Sequence, residues 1–292
     1  MAALKEIEIS ILGGMVSAKY FKGNGSIPLM MIHGWLDNLE SFSPLLEALM
    51  QLEQSHPILA LDLPGHGHSF HHSPDHTGHF IDMVTDLLMI MDAMHWDKVI
   101  LVGHSMGAAI SSLICATQPE RIAGFVSIEM MGPLSETSEN VVQRLALHFS
   151  AMSKPSNPLK IYSSLQQAME TRAVKASPPI AYSQAMVARN LESHAAGFVW
   201  KTDRRLRIPS AIRLTEEQVC VVLKSIQCPV LYVEGEVGYK ELQQSSQKRS
   251  PWIQNLTQIT LKGGHHCHME TPDILAKTML GFINSECVPV NS

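Results

Sequence analysis

A serine lies in a pattern that is typical of an activated nucleophile. Residues 103–107 read Gly-His-Ser-Met-Gly, which matches G-x-S-x-G with Ser105 at its centre. The motif directly follows the apolar run 99–102 and directly precedes the small and apolar residues 106–117. A strand that turns sharply into a helix would present the Ser105 hydroxyl above a sheet, where the flanking glycines relieve crowding. The alternative is a glycine-rich turn whose serine only caps a helix.

A serine nucleophile needs a base, and the chain has 15 histidines to choose from. We favour His265, because it follows two glycines just beyond the last predicted strand, where the carboxyl ends of parallel strands gather. His266 and His268 are its neighbours and competitors. An acyl-transfer site also needs donors for the oxyanion, and the backbone N–H groups of Trp35 and Met106 are the candidates.

No metal or cofactor is expected at this site. Four histidines crowd residues 71–79, but neither carboxylates nor cysteines accompany them at ligand spacing, so we interpret this stretch as a solvated loop. The loop Pro64-Gly65-His66-Gly67 lacks the G-x-x-x-x-G-K-[ST] pattern of a phosphate cradle.

The elements that would position these residues alternate along the chain. Glycines 13 and 14 predict a hairpin over residues 6–22. Further strands are predicted over 27–32, 58–61, 99–102, 123–128, 230–233 and 256–261, and helices over 39–52, 80–94, 106–117, 239–249 and 272–284. Strands that alternate with helices indicate an α/β fold with a parallel sheet.

The alternation stops between residues 130 and 213, where several prolines and the amphipathic pieces 139–152 and 181–193 indicate an inserted helical segment rather than sheet. Its apolar side chains suggest a substrate with an apolar portion, although most of them would simply form the core of the insertion: Met130, Met131, Leu134, Leu145, Leu147, Phe149, Met152 and Met186. Three arginines either pair with a substrate carboxylate or occupy ordinary surface positions: Arg172, Arg189 and Arg204. Residues 285–292 are predicted to form a loose tail.

Composition narrows the class of protein. The 292 residues carry 22 Lys and Arg against 27 Asp and Glu, a net charge of −5, which gives no electrostatic footprint for nucleic acid. Five cysteines without a C-x-x-C pattern favour reduced thiols. We see neither a secretory signal nor an apolar run long enough to span a membrane, so a cytoplasmic location is expected by default.

The chain resembles the α/β-hydrolase-fold proteins over nearly its whole length. The resemblance rests on four segments in the family's order: 33–38, 62–69, 103–107 and 264–265. Within that family it is most similar to the serine hydrolase-like proteins, on residues 33–38, 203–207, 214–218 and 265–269. The resemblance implies an eight-stranded, mostly parallel sheet with flanking helices, a core formed by residues 1–129 and 214–292, and a helical cap over 130–213. It also selects His265 over His266, because the family's histidine stands five residues before the glutamate of a terminal E-x-P.

The acidic partner of the histidine is where the chain departs from the family. The family usually places an aspartate in a G-x-x-D turn, but here the turn reads Gly235-Glu236-Val237-Gly238, so Gly238 stands at the acid position. Glu129 directly follows the strand predicted over 123–128, a position from which some of these hydrolases supply the acid. Glu236 is the alternative, two residues early in the usual turn. We favour Glu129.

These residues predict a serine hydrolase that acts on carboxylic esters or a related acyl bond. Ser105 would be the nucleophile, His265 the base and Glu129 the acid, without a cofactor and on a small-molecule substrate. A serine fits acyl transfer better than epoxide opening or halide displacement, which related folds perform with an aspartate. Peptidases and thioesterases share the mechanism, so the leaving group stays open. The alternative is a non-catalytic member of the fold that binds a ligand or partner, which the absent acid at Gly238 would explain.

Overall fold

An eight-stranded sheet forms the centre of the protein, as predicted. The computed structural model describes residues 4–25, 27–74, 76, 79–154, 158–175 and 182–288. The strands of this sheet are β1 Lys5–Ile11, β2 Gly14–Phe21, β3 Leu29–Ile32, β4 Ile58–Leu61, β5 Val99–His104, β6 Ile122–Ile128, β9 Val230–Gly235 and β10 Leu256–Leu261, and their spatial order is β1-β2-β4-β3-β5-β6-β9-β10. The pairs β1–β2 and β2–β4 are antiparallel, whereas β4-β3-β5-β6-β9-β10 pair in parallel.

The central strands are mostly apolar because both faces of the sheet are covered. In β5, Ile100 and Val102 belong to the apolar core on one face, while Val99 and Leu101 belong to the core on the other. Alternate residues of a strand point to opposite faces, so a strand buried on both sides favours apolar side chains at most of its positions. This is why the parallel strands appear in the sequence as short, continuous apolar runs.

Helices cover both faces of the sheet. They are α1 Ser43–Gln51, α2 Asp82–Ala93, α3 Met106–Thr117, α4 Val141–Ser153, α5 Leu165–Lys175, α6 Gln184–Asn190, α7 Glu216–Lys224, α8 Lys240–Arg249, α9 Cys267–Glu270 and α10 Pro272–Phe282. Buried residues of α2, α3 and α7 join one core, and those of α1 and α10 join the other. In the described part of the chain, no helix has both the length and the apolar character needed to cross a membrane.

The C-terminal prediction was wrong in part. Helix α10 continues into a π-helical turn, Ile283–Cys287, where a loose tail was predicted from residue 285. Cys287 is buried, and a Cβ atom placed on Gly124 of β6 would lie 2.3 Å from its sulfur. Packing of this thiol against a glycine holds the end of the chain on the sheet. Residues 289–292 lie outside the described residues.

The insertion is helical, but not only helical. Helices α4, α5 and α6 lie within residues 130–213. An antiparallel hairpin of β7 Leu191–His194 and β8 Gly197–Trp200 follows α6. The prediction of helix over 181–193 was therefore wrong from residue 191 onward, and residue 181 lies outside the described residues. Gly197 at φ 138° allows the tight turn, and a Cβ atom there would lie 2.2 Å from the carbonyl oxygen of Tyr162. The two-residue turn and the aromatic residues of β8 favour strand pairing over helix at this point.

Arg249 connects residues 131–133 with α7. Its buried guanidinium donates hydrogen bonds to the carbonyls of Met131 and Pro133 at 2.8 and 2.9 Å, and to the carboxylate of Glu216 on α7. Hydrogen bonding from Arg249 lowers the pKa of Glu216 to about 2. The pair therefore remains charged over the whole pH range in which the protein would ordinarily be studied.

Replacing Arg249 with Met is expected to lower the free energy of unfolding by about 3 kcal/mol, because it leaves two buried carbonyls without donors. Urea unfolding of the variant and the wild type measures the difference. Glu216→Gln is the control: it keeps an acceptor for Arg249, so a smaller loss is expected. Equal losses in the two variants would place the stabilisation in the ion pair rather than in the carbonyl contacts.

Candidate active site

Ser105 lies at a strained turn between β5 and α3. Its backbone has φ 50° and ψ −115°, an uncommon conformation for a residue with a side chain, and its N–H donates to the carbonyl of Ile128 at 2.9 Å. Gly103 and Gly107 are needed on either side. A Cβ atom at Gly103 would lie 2.5 Å from the backbone of Ala108, and one at Gly107 would lie 2.0 Å from the carbonyl oxygen of Ile32. The G-x-S-x-G spacing thus follows from the crowding of this turn.

The structure brings Ser105, His265 and Glu129 together in one hydrogen-bonded line. Nε2 of His265 lies 2.9 Å from Oγ of Ser105, and Nδ1 lies 3.0 Å from Oε2 of Glu129. His265 and Glu129 are both buried, and Ser105 is partly exposed. A neutral imidazole with its proton on Nδ1 would donate to the carboxylate and offer Nε2 to the serine hydroxyl.

Glu129 is held in place from three sides. Its backbone adopts φ 59° directly after β6, and its N–H donates to the carbonyl of Val233 at 2.8 Å. Its Oε1 accepts from the N–H of Gly235 at 2.5 Å, which leaves Oε2 for His265. A Cβ atom built on Gly238 would lie 2.5 Å from Oε2 of Glu129. The carboxylate therefore occupies the space that a side chain at position 238 would need.

The alternative acid is not in this line. Glu236 is exposed, and within the described residues no hydrogen bond joins its carboxylate to His265. Its backbone N–H donates to the carbonyl of Leu261 at 2.9 Å, so the turn pairs with β10 while the side chain faces away.

The loop that carries His265 is fixed by its own carboxylate. Gly263 has φ 126°, and the N–H of Gly264 donates to Oε1 of Glu270 at 2.8 Å. The ring of Tyr239 lies on the other side of His265, with the two ring centroids 4.5 Å apart. Glu270, which the family resemblance uses only to count back to the histidine, thus has a structural role of its own.

The two backbone amides predicted to be oxyanion donors belong to separate elements. Met106 is the first residue of α3, so its N–H has no carbonyl partner inside the helix. Trp35 follows β3 in the loop between that strand and α1. In the described part of the chain, neither of these two N–H groups donates to a protein acceptor. Both remain available to a bound oxyanion.

Two buried histidines shape the Trp35 loop. Nδ1 of His33 lies 2.7 Å from the carbonyl of Gly34, and its Nε2 accepts from the N–H of Leu63 at 3.0 Å. Nε2 of His66 accepts from the N–H of Leu36, whose φ is 60°. Burial lowers the pKa of His33 to about 4 and that of His66 to about 3, so both rings are neutral near pH 7 and able to accept these bonds.

A buried charged network adjoins the hydrogen-bonded line of Ser105, His265 and Glu129, and sequence reasoning missed it. Oδ2 of Asp37 lies 3.0 Å from Nε2 of His266, and its Oδ1 accepts from Arg172 on α5. Nε2 of His104 lies 2.8 Å from the backbone carbonyl of His265. Although burial raises the pKa of Asp37, the charges of His266 and Arg172 hold that pKa well below its usual range. The signals were an aspartate three residues after Gly34 and the second histidine of the 265–266 pair.

This network does not favour a metal ion. Ligand-type atoms of Asp37, His104 and His266 lie within 4.8 Å of one another. The guanidinium of Arg172 already contacts the same carboxylate, and a second cation there would be repelled.

The histidine cluster within residues 71–79 is less exposed than predicted. The rings of His72 and His76 stack with their centroids 4.0 Å apart. Their Nε2 atoms lie 3.2 Å from carboxylate oxygens of α2, one on Asp86 and one on Asp82.

Asp37→Asn is expected to lower the free energy of unfolding by about 3 kcal/mol, because Arg172 loses its buried counter-ion. It is also expected to lower kcat, since Asp37 holds His266, the chain neighbour of His265. Urea unfolding and steady-state kinetics on one sample measure both effects. Asp97→Asn removes an exposed carboxylate and is the control. A stable variant with an unchanged kcat would contradict the positioning role.

The apolar side chains suggested for substrate contact differ in their exposure. Met130, Met131 and Met186 are buried in the protein, whereas four others are exposed: Leu134, Leu147, Phe149 and Met152. Leu145 is half-buried. Of the three arginines, Arg189 is buried and donates to Asp62 and Ser17, so it is not available to a substrate. Arg172 is bound to Asp37, and Arg204 is exposed at the edge of a cleft.

The chain belongs to the alpha/beta hydrolase fold family. Residues 27–168 match the model of that family, and the eight-stranded sheet with its strand–turn–helix at Ser105 has the family's architecture.

More particularly, the chain is similar to serine hydrolase-like proteins. One from Dictyostelium discoideum is 29% identical, over 97% of this chain and 82% of that protein. Serine hydrolase-like protein 2 of Homo sapiens is 26% identical, over 96% of this chain and 94% of that protein. Among solved structures, a hypothetical protein from Pseudomonas aeruginosa PAO1 is 30% identical with a TM-score of 0.89, over 96% of this chain and all of that one. The serine hydrolase-like relatives support a hydrolase function for this chain.

Proposed function

We propose that the protein is a serine hydrolase that cleaves carboxylic esters or a related acyl bond through an acyl-enzyme. Ser105 is the nucleophile, His265 the general base and acid, and Glu129 the acidic partner. The observation that carries the proposal is the continuous contact from Oγ of Ser105 through the imidazole to the Glu129 carboxylate, at 2.9 and 3.0 Å. A hydroxyl, a base and an orienting carboxylate in this order are the parts that acyl transfer requires.

The reaction proceeds in two halves. Oγ of Ser105 attacks the carbonyl carbon while its proton passes to Nε2 of His265, and the resulting oxyanion accepts hydrogen bonds from the N–H groups of Trp35 and Met106. The bond to the leaving group then breaks, and His265 returns the proton to that group. A water molecule next gives a proton to His265 and attacks the acyl-enzyme. The carboxylic acid product leaves, and Ser105 regains its proton from His265.

Glu129 acts through the imidazole. By accepting from Nδ1 it fixes the tautomer that leaves Nε2 free, and it stabilises the cation that forms after proton transfer. Because it lies in a buried setting, its charge acts with little screening by water.

We further propose that residues 130–213 form a cap over a core of residues 1–129 and 214–292. Two arginines of residues 130–213 support this division, because both contact buried carboxylates of the proposed core: Arg172 contacts Asp37, and Arg189 contacts Asp62.

The absent acid at Gly238 was the argument for a binding protein without catalysis. The carboxylate of Glu129, 3.0 Å from Nδ1 of His265, supports the catalytic alternative instead.

Labelling with a fluorophosphonate tests the proposal. The wild type is expected to gain the mass of one adduct, and Ser105→Ala is expected to gain none under the same conditions. Peptide mapping should place the adduct on Ser105. A folded wild type that forms no adduct would overturn the proposal and favour a binding role for the site.

A further inference from the structure

A large cleft opens beside the loop that carries Trp35. Its volume is about 790 Å³, and its walls come from this loop, from α4 and α5, and from residues 200–208. The indole Nε1 of Trp35 donates to the carbonyl of Leu206 at 2.8 Å, which joins two of these walls. Because the backbone N–H of Trp35 is a proposed oxyanion donor, the cleft adjoins the position where the substrate carbonyl would lie.

The charges on this cleft differ from those of the protein as a whole. The chain has a net charge of −5. Among the described residues that line the cleft, none is an aspartate or a glutamate, whereas six are lysines or arginines: Lys154, Lys160, Arg172, Arg204, Arg205 and Arg207. Six positive side chains therefore line one cleft, and Trp35 connects this cleft with the proposed site.

Part of this charge is compensated inside the protein. Arg172 contacts Asp37, and Arg205 contacts Asp203 at 2.7 Å. By contrast, Lys154, Arg204 and Arg207 are exposed, and in the described part of the chain none of these three forms an ion pair. Three cations without a protein counter-ion in one cleft suit a ligand that carries more than one negative charge.

The remaining lining is apolar and aromatic. Trp35 and Trp200 contribute flat ring systems, and Met152, Leu159 and Ile208 contribute flexible or branched aliphatic side chains. All five of these apolar side chains are at least partly exposed to solvent. A ligand with both an apolar chain and an anionic group would cover them and meet the cations together.

We propose that this cleft binds acyl substrates that carry a phosphate group, with the phosphate among Lys154, Arg204 and Arg207 and the apolar part against Trp35 and Trp200. Guanidinium groups match phosphate oxygens in geometry as well as in charge. The proposal rests on the proposed acyl-transfer function and specifies its substrate class. A phosphate-bearing thioester and a phosphate-bearing glycerol ester share this chemistry, and the test separates them.

Two matched pairs of substrates distinguish the phosphate from the acyl bond. Octanoyl-coenzyme A is compared with the octanoyl thioester of N-acetylcysteamine, and 1-octanoylglycerol 3-phosphate with 1-octanoylglycerol. Each pair has the same acyl chain and the same scissile bond. The measured quantity is the ratio of kcat/KM for the anionic member to that for the neutral member. Binding of the same compounds to Ser105→Ala by calorimetry gives a second ratio that does not depend on turnover.

A double variant and a matched control locate the effect. Arg204→Glu with Arg207→Glu changes the charge of the cleft by −4. Lys224→Glu with Lys277→Glu makes the same change at exposed lysines of α7 and α10, outside the cleft. We expect the wild type to favour the anionic member of at least one pair about tenfold, and this ratio to fall about tenfold in the cleft variant but not in the control.

Ionic strength provides an independent check. Raising it from about 0.02 M to about 0.5 M should shrink the wild-type ratio severalfold, because exposed charges are screened over shorter distances. The proposal is overturned if both ratios are near one in the wild type, or if the control variant loses the preference as the cleft variant does. If neutral and anionic members alike are left uncleaved, the proposed hydrolase function fails, while the binding ratio on Ser105→Ala still supports or overturns the cleft.

Discussion

Ser105→Ala is expected to lower kcat by about 10⁴- to 10⁶-fold on any ester the wild type cleaves, with KM changed little. The reason is the contact of its Oγ with Nε2 of His265 at 2.9 Å. Without the hydroxyl no acyl-enzyme can form, and only the oxyanion donors and substrate binding remain. Steady-state kinetics with a chromogenic ester of a short-chain acid measure the loss.

Stability must be measured on the same samples, because Ser105 also lies at a strained turn with φ 50°. Ala keeps the Cβ atom, so the free energy of unfolding should stay within about 0.5 kcal/mol of the wild type. Ser105→Gly should be more stable by about 1 kcal/mol, since glycine accepts positive φ, and it should be equally inactive. Ser225→Ala removes an exposed helical hydroxyl and is the control. An active Ser105→Ala would contradict the role of this serine.

The fold could be predicted because local rules decide most of it. Buried parallel strands are short apolar runs, and the glycines at 103 and 107 are required by contacts with neighbouring backbone. The prediction of an eight-stranded, mostly parallel sheet was confirmed. The hairpin β7–β8 was missed because its pairing depends on a turn of two residues and on a contact with Tyr162, about 35 residues earlier in the chain.

The charged network was missed for a similar reason. Asp37, Arg172 and His266 are far apart in the sequence, and each alone is an ordinary polar residue. Only the folded chain brings them within hydrogen-bond distance and removes them from water. Burial then makes each dependent on the others, because an unpaired charge in that position is costly.

This network connects α5 directly with the residues that we propose to be catalytic. Arg172 on α5 donates a hydrogen bond to Asp37, and Asp37 contacts the ring of His266. His266 directly follows His265 in the chain. The same aspartate lies two residues after Trp35, so one residue connects the loop of His265 with the loop of Trp35. Movement of α5 away from the core would loosen both at once.

The Glu129 carboxylate and a side chain at position 238 would compete for the same space. The family's usual turn would supply a side chain at position 238, but a Cβ atom there would lie 2.5 Å from Oε2 of Glu129. The two solutions therefore exclude each other in one protein. With glutamate at 129, position 238 is compatible only with a residue that has no side chain. Gly238, which first suggested a lost acid, is therefore required by the glutamate that we propose as the acid.

Glu129→Gln is accordingly expected to lower kcat by about 10⁴-fold. The amide has nearly the shape of the carboxylate, but it can offer its NH₂ group to Nδ1 and so favour the wrong tautomer of His265, and it cannot stabilise the cation. Glu236→Gln, an exposed change in the neighbouring turn, should leave kcat within about twofold, as surface substitutions usually do. Equal and small losses in the two variants would mean that the acid lies elsewhere.

Moving the acid back to position 238 tests the same geometry in the opposite direction. Gly238→Asp alone should inactivate and destabilise the protein, because its Cβ atom collides with the Glu129 carboxylate. Combined with Glu129→Gly, the same aspartate gains the vacated space, and glycine accepts the φ of 59° at position 129. The distance of 2.5 Å from that Cβ atom to Oε2 matches the reach of an aspartate carboxylate oxygen. The double variant should therefore exceed Glu129→Gly alone in kcat by about 10²-fold, a fraction of what a triad acid contributes. No gain in a folded double variant would show that Oε2 of Glu129 does not mark the position from which His265 is oriented.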